Sequence, residues 1–367
     1  MGKLAQKGSI ALLLLLMAVA FTGCAPTLAD AGWSAVNADA STAYAALTTG
    51  KLFALNAASG LLRWQFPKAD NERLAGLYGM PALTGNLVIF GGSDPATHAG
   101  TAYALDPATG DPRWSFKTGD AIVGGPTVYG GTVFVTSADR NVYALDVATG
   151  QQRWRFPTGS WVWSSVVVSG DTAYVGAMDS SVYALRASDG QQVWRFATAG
   201  AVPGTPAVAN GLVYAGDLSS TLYAINAQTG QEVWRFKANN WIWGQPVVVD
   251  GTIYVSSLDH RVYALDAQTG QKRTNFAIQG AFETKGAVRA GPTFADGTLY
   301  VASEDQNLYA LDAASGTQRW VFNAGGSLLT SPVVVDGSVY VATSNGKAFG
   351  LDAKTGAQRW VYPAPSK

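Results

Sequence analysis

The chain has 367 residues, of which 48% are hydrophobic and only 14% are charged, with 42 glycines and 12 tryptophans. Lysine plus arginine equals aspartate plus glutamate at 25 each, so the chain lacks the basic excess that binds nucleic acid. Two histidines and one cysteine exclude a thiolate- or histidine-rich zinc site and any disulfide framework.

The first residues of the chain have the pattern of a secretory signal. Lys3 and Lys7 precede an apolar run over residues 10–21, which is short for a stable transmembrane helix. The sequence FTGC, which ends at Cys24, resembles a bacterial lipobox, in which the cysteine becomes the lipidated first residue of the mature protein. We expect lipidation here because the chain has no other cysteine; the alternative is an ordinary signal peptide with an incidental cysteine.

This pattern predicts three segments: a lipoprotein signal peptide over residues 1–23, the lipidated Cys24 with a short tether over residues 24–32, and a folded domain over residues 33–367. Attached acyl chains would hold the protein at a membrane of the cell envelope. Ala25 after the cysteine favours the periplasmic face of the outer membrane. In a host with a single membrane, the expected place is the outer face of the cytoplasmic membrane.

A single motif dominates the rest of the chain. It consists of an aromatic residue, Ala-Leu-Asp, a short polar stretch, Thr-Gly, and a tryptophan four residues past the glycine. Successive copies start 50, 40, 40, 40, 40, 46 and 40 residues apart, a period typical of solenoids and propellers. The copies begin at Phe53, Tyr103, Tyr143, Tyr183, Tyr223, Tyr263, Tyr309 and Phe349.

Each unit reads as four short strands. The last unit contains SPVVVDG, SVYVATSNG, KAFGLDAKTG and AQRWVYPA, in which β-branched and aromatic residues alternate with turn residues. No unit has an apolar period of helical length. The sequence therefore predicts an all-β, eight-bladed β-propeller with four antiparallel strands per blade.

The repeated residues are expected to build the scaffold. Each motif glycine falls where the third strand turns into the fourth, where glycine adopts positive φ without steric cost. Two residues past each tryptophan a second aromatic shares its face of the strand, so both rings should pack on the neighbouring blade. The tryptophans are Trp64, Trp114, Trp154, Trp194, Trp234, Trp320 and Trp360, with Thr274 in the sixth unit; the second aromatics are Phe66, Phe116, Phe156, Phe196, Phe236, Phe276, Phe322 and Tyr362.

The repeat resembles the tryptophan-docking motif of pyrroloquinoline-quinone-type propellers, over essentially the whole predicted mature chain. Within that group, an eight-bladed propeller with a lipobox and no further domain is similar to the BamB family. The resemblance to that family implies a lipoprotein of the outer-membrane β-barrel assembly machinery. Its implied partner is an envelope protein, such as a β-barrel assembly component.

Quinoprotein alcohol dehydrogenases share the fold, and the resemblance to them implies a calcium ion, a catalytic aspartate and usually a vicinal cysteine pair. This chain has no cysteine pair and lacks long inserted loops, so we expect no catalysis, no metal and no cofactor. Aspartates recur at one position of the turn between the second and third strands. We expect their carboxylates to accept hydrogen bonds that stabilise the turn, which we call turn chemistry, rather than to bind calcium. They are Asp139, Asp179, Asp259 and Asp305.

Function is expected where the repeats differ. Connections from the fourth strand to the next first strand, and from the second to the third, emerge together on what we call the insertion face. The opposite surface, formed by the turns around the motif glycines, is the glycine-turn face. Extra residues fall after Phe66 and before Thr101 in the 50-residue spacing, and after Phe276 in the 46-residue spacing. All three insertions are assigned to the insertion face.

Two connections on the insertion face are unusually aromatic, GSWVWSS and NNWIWGQP. Exposed tryptophans with a charged rim fit the usual anatomy of a protein interface. The alternative is that one ring of each pair packs into the top of its blade. The predicted partner-binding residues are Trp161, Trp163, Trp241, Trp243, Phe282, Glu283 and Arg289.

The sequence thus predicts a monomeric, non-catalytic, lipid-anchored propeller that binds an envelope protein. The alternatives are a quinoprotein-like oxidoreductase and a glycan-binding or adhesive module. The first strand is expected to begin near Trp33, which leaves too few residues for a shared strand. Blade eight should therefore meet blade one by aromatic docking, mainly through Trp360 and Tyr362.

Overall fold

The computed structural model describes residues 32–363, which form eight four-stranded sheets arranged as the blades of a β-propeller. Neighbouring strands within each blade are antiparallel, and no helix occurs in this range. The predicted fold is confirmed. Nothing between residues 32 and 363 forms a helix of the length and hydrophobicity needed to span a membrane.

Each blade is one continuous stretch of chain whose four strands run in order from the inner edge to the outer edge. Blades 1 to 4 contain β1 Ala35–Ala38, β2 Thr42–Leu47, β3 Lys51–Asn56, β4 Leu62–Phe66; β5 Ala82–Leu83, β6 Val88–Ser93, β7 Gly100–Leu105, β8 Pro112–Lys117; β9 Thr127–Tyr129, β10 Thr132–Ser137, β11 Asn141–Asp146, β12 Gln152–Pro157; and β13 Val167–Ser169, β14 Thr172–Ala177, β15 Ser181–Arg186, β16 Gln192–Ala197. Blades 5 to 8 contain β17 Ala207–Ala209, β18 Leu212–Gly216, β19 Thr221–Asn226, β20 Glu232–Lys237; β21 Val247–Val249, β22 Thr252–Ser257, β23 Arg261–Asp266, β24 Ala281–Glu283; β25 Thr293–Ala295, β26 Thr298–Ala302, β27 Asn307–Asp312, β28 Gln318–Asn323; and β29 Val333–Val335, β30 Ser338–Ala342, β31 Ala348–Asp352, β32 Gln358–Tyr362.

The motif tryptophans join each blade to the next. Trp154 of blade 3 lies flat against Gly190 of blade 4, so closely that a Cβ on this glycine would sit 2.6 Å from the Trp154 Cε3. Its indole Nε1 donates to the Ala187 carbonyl at 3.0 Å. Gly190 also has φ of 75°, so glycine meets two requirements at once, the turn and the docking. The same docking recurs at all seven motif tryptophans.

The ring closes between blades 8 and 1 by the same docking contact. Trp360 Nε1 donates to the Ala57 carbonyl at 2.8 Å, and the ring of Tyr362 lies 5.0 Å from that of Phe53. Each blade supplies its own four strands within the described range, so closure without a shared strand is confirmed there; residues 25–31 lie outside it. The first strand begins at Ala35.

The assignment of the 46-residue spacing is wrong. The extra residues lie between β23 and β24, in the turn from the third to the fourth strand of blade 6, and hence on the glycine-turn face. Phe276 does not continue the outer strand. It is 1% exposed and packs on Tyr254 at 5.5 Å, the place that Trp234 takes on Tyr214 in the preceding blade.

The substitution of Phe276 for the missing tryptophan displaces the rest of that strand. Ala277 covers Gly316 where an indole lies in the other blades, and Phe282 packs on Tyr309 as Phe156 does on Tyr183. The tip of this longer turn carries Ile278, which is 82% exposed.

The two parts of the 50-residue spacing lie where they were predicted. The connection from β4 to β5 and the hairpin from β6 to β7 are both longer than in the other blades, and both emerge on the insertion face. They meet through paired hydrogen bonds between Ala75 and Ser93 at 2.8 and 2.9 Å. Together they wall a cavity of about 700 Å³ beside Phe66 and Tyr103.

Candidate functional site

The candidate site is the mouth of the central channel on the insertion face. One position of the repeat, in the connection that leads into each first strand, supplies a side chain to it from every blade. Because the scaffold repeats, these eight positions form a ring around a cavity of about 570 Å³. In blade order the ring, which we call the channel mouth, is Trp33, Tyr78, Val123, Trp163, Pro203, Trp243, Arg289 and Leu329.

Four of these side chains contact one another across the channel. Trp243 stacks on Trp163 with ring centroids 6.0 Å apart and meets Trp33 edge-on at 6.0 Å. Trp33 in turn meets Tyr78 edge-on at 5.4 Å. Trp161, just outside the ring, stacks on Trp163 at 5.7 Å with an interplanar angle of 11°. We call these five residues the aromatic row; it bridges the channel from blade 2 to blade 4.

Arg289 is the single charged residue among the described residues that line this cavity. Its guanidinium lies 4.9 Å from the centre of the Trp243 ring, and its Nε donates to Glu304 Oε1 at 3.0 Å. A cation over an indole face is attractive, and the carboxylate fixes the orientation of the guanidinium. Arg289 therefore packs on Trp243, which is 7% exposed between this guanidinium and the rings of Trp33 and Trp163.

The outer member of each tryptophan pair stays at the rim of the channel. Trp161 and Trp241 are both half-buried, and their backbone carbonyls accept hydrogen bonds from the N–H groups of Met178 and Leu258 at 2.8 and 2.9 Å. These bonds tie each connection to the next hairpin turn. Both indoles are thus presented from a fixed backbone rather than from a free loop.

The other two predicted residues lie away from the channel, at the outer rim. Phe282 belongs to β24 and its ring packs 5.4 Å from Tyr309 of the next blade. Glu283 ends the same strand, is exposed, and pairs with Arg261 at 3.2 Å. The structure therefore brings Trp163, Trp243 and Arg289 together, with Trp161 and Trp241 beside them, and separates Phe282 and Glu283 from them.

The recurring aspartates hold the connections in place. Asp139 Oδ2 accepts a hydrogen bond from Tyr143 at 2.7 Å and another from the Gly119 N–H, in the preceding connection, at 2.8 Å. Turn chemistry is thus confirmed, and within residues 32–363 no cluster of three or more His, Cys, Asp or Glu side chains could hold a metal ion. Burial, and next the hydrogen bond to aspartate, raises the pKa of the tyrosine to about 12 at Tyr143, Tyr183, Tyr263 and Tyr309.

Sequence reasoning missed Trp33 and Tyr78. Trp33 precedes the first complete motif, so it was assigned to the start of a strand, and Tyr78 lies within a longer connection. Aligning the units on their second strands, instead of on the glycine motif, places both in register with Trp163 and Trp243. That alignment is the signal that could have found them.

A family model described as outer membrane protein assembly factor BamB matches residues 98–202, 178–274 and 273–367. These matches cover more than half of the chain. The chain belongs to the BamB family. No curated protein matches it by sequence.

Solved structures resemble this BamB-family chain in fold. BamB from Moraxella catarrhalis is 20% identical, with 85% of this chain and 91% of that chain covered and a TM-score of 0.67. The computationally designed Ika8 protein is 17% identical, with 87% and 96% covered and a TM-score of 0.75. A europium-containing methanol dehydrogenase is 16% identical, with 78% of each chain covered and a TM-score of 0.64. At these identities the likeness concerns the fold alone.

A quinone with its metal ion does not fit the residues of this BamB-family channel. Such a site needs carboxylate and amide oxygens converging on an ion, and no aspartate, glutamate or histidine is among the described residues lining the channel. Aromatic rings instead line the mouth, where Trp243 packs against Trp33 and Trp163. No step of quinone chemistry follows from this arrangement.

Proposed function

We propose that this protein is a non-catalytic, lipid-anchored scaffold of the cell envelope that binds another envelope protein in outer-membrane protein assembly. The observation that carries the proposal is the chemistry of the insertion face in a member of the BamB family. Its rim presents Trp161 and Trp241, two half-buried indoles outside the docking layer. Indoles in such positions are frequent anchors of protein interfaces.

The difference in sequence variation between the two faces also supports binding at the insertion face. The glycine-turn face repeats nearly the same residues in seven blades, so it offers little to tell one partner from another. On the insertion face the longer connections of blades 1 and 2, the aromatic row and the charged pair of Arg289 with Glu304 occur once each. Glu283, exposed at the outer rim, adds a charge at the edge of that surface.

The start of the described chain supports an anchor on the side of the insertion face. The Trp33 N–H donates to the Leu77 carbonyl at 2.8 Å, which fixes the start of the described chain beside the channel mouth. Cys24 lies eight residues before Gly32, a stretch that spans at most about 28 Å when extended. Lipidation at Cys24 would therefore hold the insertion face toward the membrane, where a membrane-embedded partner would meet it.

The absence of carboxylates from the described lining of the channel argues against the oxidoreductase alternative, because the resemblance to quinoprotein alcohol dehydrogenases implies a catalytic aspartate and a calcium ion beside the quinone. Absorption spectroscopy of the purified protein, alone and with added pyrroloquinoline quinone, tests this alternative directly. Bound quinone would favour the oxidoreductase over the scaffold.

The proposal is tested by a pull-down and titration with a β-barrel assembly protein. The double variant Trp161→Ala with Trp241→Ala should weaken binding by about 2 kcal/mol or more, because two anchors are removed. Gln228→Ala with Gln268→Ala, two exposed residues of the glycine-turn face, is the matched control and should bind normally. If the tryptophan variant binds normally and the control loses binding, the assignment of the binding surface to the insertion face is wrong.

A further inference from the structure

The twelve indoles of the chain fall into two sets by their hydrogen bonds. All seven docking tryptophans donate from Nε1 to a carbonyl of the next blade, at 2.8 to 3.1 Å. The remaining five donate to nothing that the structure describes, although an indole N–H within a protein usually finds an acceptor. These five are Trp33, Trp161, Trp163, Trp241 and Trp243, all at the channel mouth or its rim.

The five free donors are accessible from solvent. The buried polar side-chain atoms that lack a partner in residues 32–363 belong to Ser93, Asp179 and Arg273, and no indole nitrogen is among them. Even Trp243, whose ring is mostly covered, therefore keeps its Nε1 within reach of water. A bound group that approaches the aromatic row would find these donors ready to bind.

The channel mouth offers rings and donors but no charged acceptors. Indole N–H groups and the guanidinium of Arg289 only donate, and aspartate and glutamate are missing from the described lining. A ligand that brings acceptors and apolar rings therefore complements the aromatic row.

We propose that the aromatic row binds a proline-rich segment in the polyproline II conformation. Proline has a carbonyl and no N–H, its ring packs flat on an indole, and the polyproline II backbone leaves its carbonyls free to accept. Grooves lined by aromatic residues recognise such segments in other folds by this chemistry. The inference rests on the proposed function only in that the segment belongs to the protein partner.

Calorimetric titration of the full chain in detergent with an eight-residue polyproline peptide tests the inference. The peptide should bind, and an eight-residue Gly-Ser peptide should not. Trp163→Phe keeps a ring but removes the donor, so binding should weaken about threefold for the loss of one hydrogen bond. Trp163→Ala removes both and should weaken binding about tenfold or more. Gln228→Ala, an exposed residue of the glycine-turn face, is the control and should leave binding unchanged.

Thermal unfolding of each variant shows whether it remains folded, and Trp161→Ala, at the rim, gives a second measurement should a channel-mouth variant unfold. The inference is overturned if polyproline fails to bind the wild-type chain, or if binding is the same in the Trp163 and Trp161 variants as in the wild type. Binding of the Gly-Ser peptide with equal affinity would also overturn it. The partner pull-down is a separate readout, so loss of polyproline binding with intact partner binding would reject this inference alone.

Discussion

The docking layer and the channel mouth use the same side chain for opposite purposes. In the docking layer, indoles recur at one position of the motif, lie on a glycine of the next blade and satisfy their N–H there. At the channel mouth, indoles occur in only three of eight equivalent positions and their N–H groups have no partner in residues 32–363. A tryptophan that recurs and has its N–H bonded is part of the scaffold, whereas one that occurs out of the repeat with a free N–H is a residue that we propose for binding.

The largest difference between the two regions is expected in stability. Trp194→Ala should lower the free energy of unfolding by about 3 to 5 kcal/mol, because it opens a cavity between blades 4 and 5 and removes the shorter of the two hydrogen bonds that the Ala227 carbonyl accepts. Trp163→Ala should cost about 1 kcal/mol, since its half-buried ring lies at the mouth. Urea unfolding followed by circular dichroism measures both. Similar losses in the two variants would break the distinction between scaffold and site.

Blade 6 tests the docking layer further, because a phenylalanine there occupies the position of a docking tryptophan. Phe276→Ala should cost about 3 kcal/mol, as expected for a fully buried ring. Thr274, which occupies the motif position of the missing tryptophan, is exposed, so Thr274→Ala should change stability by less than about 0.5 kcal/mol. Urea unfolding measures both variants. A larger loss of stability at Thr274 than at Phe276 would mean that Thr274, and not Phe276, occupies the docking position.

A pair of glycines separates the cost of docking from the cost of the turn. Gly190 and Gly170 have φ of 75° and 61°, so alanine is strained at both, by about 1 kcal/mol. An added Cβ meets nothing within 4 Å at Gly170 but would lie 2.6 Å from the Trp154 ring at Gly190. Gly190→Ala should therefore cost about 2 kcal/mol more than Gly170→Ala. Equal costs would mean that the indole moves aside freely.

The smallest expected effect is a dependence on alkaline pH. The pKa of Tyr183 is raised to about 12, first by burial and next by Asp179. A tyrosine whose pKa is higher in the folded state than when unfolded holds a proton that the unfolded chain has lost, so stability falls as pH rises from 10 to 12. At pH 11 the destabilisation relative to neutral pH should be about 1 kcal/mol smaller in Tyr183→Phe than in the wild type. Parallel pH profiles for the two proteins would contradict this.

Most of the scaffold could be predicted from the sequence because its motif occurs eight times. Glycine, tryptophan and second aromatic keep one spacing in seven units, and each of them meets a local requirement of turn or strand. The exception shows the limit of spacing. Phe276 lies six residues past Gly270, as the second aromatic does in the other units. The spacing therefore predicted that Phe276 was the second aromatic and that the six extra residues followed it on the insertion face, and both predictions are wrong. Only the burial of its ring against Tyr254 decides which position it occupies.

The candidate site was predictable only in part, for a reason of distance along the chain. The two Trp-x-Trp segments were visible as departures from the repeat, and so was their face, because strand direction alternates within each blade. Their contact was not visible. Trp33 and Trp243 are 210 residues apart and touch only because the closed ring brings equivalent positions of different blades to one axis.

The sequence by itself therefore determined the blade, the number of blades and the way in which blades dock, since these depend on contacts within a unit and its neighbour. The tertiary structure alone decided which indoles turn into the channel, which of them lack an acceptor, and how blade 6 accommodates its longer turn. Those outcomes depend on the closure of the ring and on competition between side chains for buried positions, and neither is encoded in the spacing of a repeat.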